Sequence, residues 1–117
     1  MKRMTGIDEQ LENLNGVKMT VGGGDPTPFT VKKALLQLIG TARGKNGEES
    51  ISIMEMGLSL KKAVKVWEFK DTDNYEKMLK KIIDDNNMGE HGQGYAAFIV
   101  GRLAKQLKEL ESFKGEK

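Results

Sequence analysis

The chain has 117 residues, 19 basic and 17 acidic, for a net charge of +2. That length suits one domain, and so even a balance excludes bulk attraction to nucleic acid or to a membrane surface as an organising principle. There is no cysteine, which rules out disulfides, thiol catalysis and cysteine-type zinc sites, and no apolar run of the ~20 residues needed to span a bilayer.

Met1-Lys2-Arg3 is followed by Thr5, Gly6, Asp8 and Glu9, not by the apolar stretch of a signal peptide. An intracellular, cytoplasmic protein is expected. Residues 1–15 are polar and read as a flexible lead-in, as do 114–117 at the other end, both flanking a single domain.

Val17, Met19 and Val21 alternate with polar residues over 16–21, the period of a half-buried strand. Gly22-Gly23-Gly24-Asp25-Pro26-Thr27-Pro28 then forms a turn or loop. Thr30 is a candidate N-cap for a helix whose apolar face is Val31, Ala34, Leu35, Leu38, Ile39 and Ala42. Gly44 marks its end near Arg43, and Lys45-Asn46-Gly47 is a turn signal. A second helix spans about Ser50 to Ala63. Ile51, Met54 and Leu58 share one side of it and Ile53, Met56, Leu60 and Val64 another. Apolar on most sides, it is expected to be the buried centre of the domain.

Val64 to Phe69 is rich in β-branched and aromatic residues and reads as a strand, expected to pair with 16–21 as a two-stranded ribbon. Asp73-Asn74-Tyr75-Glu76 has the form of a capping box. The third helix behind it carries Tyr75, Met78, Leu79, Ile82 and Ile83 on one face and Lys77, Lys80 and Lys81 opposite. Residues 86–94, with three glycines and two asparagines, break it as a mobile loop. A fourth helix runs from about Tyr95 to Phe113, with Ala96, Ile99, Val100, Leu103, Leu107 and Leu110 on its apolar face. The fold expected is mainly α, about four helices with the short ribbon 16–21 and 64–69.

Catalytic and metal motifs fail when tested residue by residue. A phosphate-binding P-loop needs lysine and Ser or Thr after its last glycine, and here Asp25-Pro26 follows Gly24. An EF-hand loop counted from Asp84 meets Met88 at a ligand position and Tyr95 where the bidentate acid belongs. His91, the one histidine, stands beside Glu90 and near Asp84 and Asp85; it is read as a solvated loop residue, its catalytic alternative being a small metal-dependent enzyme. The serines lie outside any nucleophile-elbow motif. No catalytic residue, metal or cofactor is expected.

Binding features remain. Arg102, Lys105 and Lys108 recur at helical spacing, and Lys61 and Lys65 cluster at the end of the second helix. If convergent, these five would form a nucleic-acid face, although lysine outnumbers arginine and acids are interleaved. Of seven methionines, Met54, Met56 and Met78 fit core positions. Trp67, Tyr95 and Phe98 are candidate anchors of a protein interface, and the long apolar face of the fourth helix favours self-association.

The succession of a short strand, a Gly/Asp/Pro turn, Phe29-Thr30-Val31 opening a helix, Met56-Gly57-Leu58 in the next, the strand Val64 to Phe69 and a helix with Tyr75, Leu79, Lys80 and Ile82 resembles small tailed-phage and prophage proteins over residues 16–83. The resemblance implies an accessory or assembly protein in the host cytoplasm and carries over no catalytic residue. The expectation is a non-enzymatic interaction protein acting on a protein partner or itself, with a nucleic-acid accessory role as the alternative.

Overall fold

Strand formation begins at the second residue. The computed structural model describes residues 1–22, 24–88 and 95–113. In it strand β1 (Lys2–Thr5) is the centre of a three-stranded antiparallel sheet. β4 (Val66–Phe69) pairs along one edge with Met4 opposite Trp67, and β5 (Glu111–Ser112) along the other with Lys2 opposite Ser112. The side chains of Met4, Trp67 and Phe69 are buried, while Val66 and Glu68 face out. On the outer face Arg3 sits between Glu68 and Glu111, 4.0 Å from each, and over the Phe113 ring at 4.3 Å. Register is thus fixed by apolar contact inside and by charge outside.

The expected ribbon of 16–21 with 64–69 does not form. Only Thr20–Val21 is a strand (β2) of that first stretch, and it folds back on Thr27–Pro28 (β3) through the Gly- and Pro-containing turn. Loop length does not decide this, since its cost grows slowly with separation and β4 pairs with the still more distant β1; Met19 and Val21 are only partly buried, whereas Met4 is 1% exposed opposite Trp67. The inner face of β4 is instead completed by Met4. Residues 1–15 are correspondingly no loose lead-in. Met4, Ile7 and Leu11 are in the core. The Leu11 amide donates to the Phe29 carbonyl and the Met19 amide to the Leu11 carbonyl, both at 2.8 Å. Residues 114–117 lie outside the described residues.

Four helices are present among the described residues. In α1 (Val31–Thr41) the Thr30 hydroxyl caps the first turn by accepting from the Lys33 amide, and Val31, Ala34, Leu35, Leu38 and Ile39 are buried, the face that periodicity predicts. α2 (Gly47–Lys62) starts earlier than expected, because Asn46 caps it by accepting from the Glu49 amide at 2.9 Å. Glu48 and Glu49 in its first turn, and Lys61 and Lys62 in its last, suit the helix dipole. α3 (Tyr75–Met88) follows a 3-10 turn, Asp71–Asp73. Asp73 belongs to that turn and accepts from the Lys70 amide at 3.1 Å, while Asn74 takes the left-handed conformation, φ 62°, between turn and helix. The loop expected over 86–94 begins later than its composition suggests, since α3 continues to Met88; residues 89–94 lie outside the described residues. α4 (Ala97–Lys108) is shorter than expected, since the chain beyond it turns to pair with β1. The helices form a row: α2 contacts α1, α1 contacts α3 and α3 contacts α4. The inner face of the sheet meets this row through Trp67 on Ser59 and through Gln106, which donates to the Thr5 carbonyl.

Candidate functional site

α2 ends the row, and this decides which of its two apolar sides is covered. Ile53, Met56 and Leu60 are buried. Ile51, Met54 and Leu58 are 53, 56 and 51% exposed. At ~100° per residue each trio spans an arc of about 60°, and the two arcs are centred about 160° apart. The helix is therefore not the buried centre expected of it: one apolar face packs on α1 and the sheet, the other faces solvent. Met54, expected in the core, lies at the middle of that outer face. Among the residues whose side chains are described, which in α3 end at Asp85, no other helix exposes a large apolar side chain to a comparable degree. The stripe is edged by Glu48, Glu55, Lys61 and Lys62, all exposed.

The platform beneath this stripe is held at several points. The Trp67 indole donates to the Ser59 hydroxyl at 3.0 Å. The Lys32 ammonium, from α1, donates to the carbonyls of Lys61 (2.8 Å) and Ala63, satisfying acceptors that the end of a helix leaves unpaired. Glu49 pairs with Lys81 of α3 at 3.7 Å. A Cβ at Gly57 would stand 3.1 Å from Ile39 Cγ2, so this glycine lets α1 and α2 approach closely. The backbone under Ile51, Met54 and Leu58 is pinned at both ends, and a partner would meet a preformed surface.

The anchors expected from the sequence lie elsewhere. Trp67 is 1% exposed and packs among Phe69 (centroids 4.7 Å apart) and Tyr75 (5.8 Å); a side chain so enclosed contacts no partner. Tyr95 and Phe98 are half-buried against the core, with Tyr95 beside Phe29 at 5.9 Å and its hydroxyl donating to the Gln37 side chain. Burial raises the Tyr95 phenol pKa above 10.0. Burial raises that of Tyr75 too, with the carboxylates of Asp73 and Glu55 adding to it. The apolar face of α4, from which self-association is expected, is used inside the domain: Ile99, Val100, Leu103 and Leu107 are buried.

Lys61 and Lys65 lie at the end of α2 and just beyond it, and Arg102, Lys105 and Lys108 lie on α4; the two groups are linked through β1, since Val66 pairs with Thr5, whose carbonyl accepts from Gln106 of α4. Arg102 is engaged by Glu9 and Gln106, both at 2.5 Å. A groove of about 580 Å³ between α3 and α4 is lined by the apolar Phe69, Ile83 and Leu107, with Lys2, Lys77, Lys80 and Lys108 beside Asp71, Glu76 and Asp84. Its mixed signs favour neither an anion nor a cation. His91 lies outside the described residues, and among those described no group of three His, Asp or Glu side chains is placed to hold a metal. No described helix is long and apolar enough to cross a membrane.

Compared with known proteins, the chain matches no family model, no curated protein and no solved structure.

Proposed function

We propose that the protein acts by binding another protein chain through the outer face of α2, without chemistry of its own. The observation that carries this reading is the exposed stripe Ile51, Met54 and Leu58 on a helix whose opposite face is already buried. Apolar side chains at helical spacing on a rigid element are the form in which a helix presents itself to a groove or to a second helix. Exposure of such a stripe costs solubility, so it is retained where a partner covers it. A phage or prophage setting, and action in the host cytoplasm, are what the resemblance of residues 16–83 implies for that partner's surroundings.

A photo-activatable amino acid placed at Met54, and separately at the exposed Lys105 of α4, tests this in cells that carry the gene. Protein adducts from position 54 and few or none from position 105 are expected. Adducts from 105 alone would move the interface to another face and refute the reading.

A further inference from the structure

We propose that the partner on this face is α2 of a second copy of the chain, packed antiparallel about a two-fold axis close to Met54. The proposal rests on the docking reading above and names its occupant. A two-fold interface must be complementary to itself, so that if one residue meets a second, the second meets the first. The apolar residues of the stripe satisfy this, as do the charges at its two ends. Its apolar residues centre on Met54. At 1.5 Å per residue, Glu48 lies about 9 Å before that centre and Lys61 about 10.5 Å after it. Turned about the axis, Ile51 of one copy falls beside Leu58 of the other and Glu48 falls beside Lys62 on the same edge of the stripe, each contact occurring twice, while Met54 meets its own counterpart once, as does Glu55, the single like-charge contact.

Other orientations lack this match. Parallel packing would set Glu48 against Glu48 and Lys61 against Lys61, and a partner of one charge would be repelled by one end of the stripe. Antiparallel packing also sets the positive end of each helix dipole beside the negative end of the other. The charges are available for the purpose, because among the described residues Glu48, Lys61 and Lys62 are exposed and take part in no ion pair.

Sedimentation equilibrium of the full chain, over a wide concentration range, is expected to approach twice the 13.0 kDa protomer mass. Met54→Glu, which sets two carboxylates together at the axis, and Leu58→Glu should each weaken the dimer at least tenfold with unchanged circular dichroism. Because the chain has no cysteine, Met54→Cys should form a covalent dimer on mild oxidation, while Lys105→Cys should not. Glu48→Lys should weaken association several-fold, and adding Lys61→Glu and Lys62→Glu to the same chain should restore it, a rescue particular to the antiparallel pairing. A wild type that stays monomeric throughout, a Met54→Glu variant that stays dimeric, or a charge reversal without rescue would each overturn the proposal. A monomeric wild type that still gives photo-adducts from position 54 to a different chain overturns the pairing and leaves the docking reading standing. The absence of any adduct from 54 overturns both.

Discussion

Asn74 is the residue at which local sequence and backbone are most tightly bound together. It is the one non-glycine residue with positive φ among those described, at 62°, and asparagine enters that region more readily than any β-branched residue. Asn74→Val should cost about 1–2 kcal/mol, whereas Asn74→Gly should be close to neutral; denaturant titration of the two variants checks this. The segment Asp73-Asn74-Tyr75-Glu76 marks the start of α3 correctly, yet the capping-box pattern assigns the junction to the wrong side chain. Asp73 serves the preceding turn, and a four-residue pattern carries no information on which of two consecutive turns an aspartate caps. Gly44 is similar. Its position in the sequence suggests the end of α1, but that helix is capped by Ala42 in extended conformation. Glycine is required at 44 because a Cβ would come within 2.6 Å of the Ser50 amide nitrogen, a contact made only once the next helix is in place.

At the level of elements, α1 and α3 are legible in the sequence because each has a single apolar face, and that face is the one buried. α2 is not. Its two apolar trios are equivalent to any count of periodicity, and the choice between them is made by the next strand: β4 returns beneath the helix and brings Trp67 to Ser59. The candidate site is the trio left over, so it becomes visible only with the tertiary arrangement. β1 escapes notice for another reason. Lys2, Arg3 and Thr5 surround one apolar residue, Met4, and four residues are too few to show alternation. Its weight in the fold is measurable. Met4 is 1% exposed opposite Trp67, so Met4→Ala should cost about 2–5 kcal/mol, a large share of the ~5–15 kcal/mol typical of a domain. Thermal unfolding will distinguish this from the negligible change that a loose N-terminal tail would give.

For the molecule as a whole, the two tyrosines tie stability to alkaline pH. Both phenols have pKa values raised above 10.0, chiefly by burial, so the folded state holds these protons more tightly than the unfolded chain does. Their contribution is fully present below pH 10 and is lost as pH rises through the raised values. Tyrosinate absorbance should therefore titrate at higher pH in the folded protein than in denaturant, with Tyr75→Phe and Tyr95→Phe assigning the two steps. Coincident curves would contradict the shift.

The placement of β1 also sets the order in which the molecule can assemble. Its partners lie far along the chain, with Lys2 bonded across 110 positions to Ser112. On the ribosome β1 emerges well before β4 and β5 exist, while α1 and α2 can close on one another as soon as both are made. Ile7 and Leu11 can be met early, by the segment from Met19 to Lys32, but Met4 must wait for Trp67, and the sheet is completed after the helices, by the slow closure that such distant pairing entails. A nascent chain of this protein thus leaves an edge of β1 unpaired until its last residues are made.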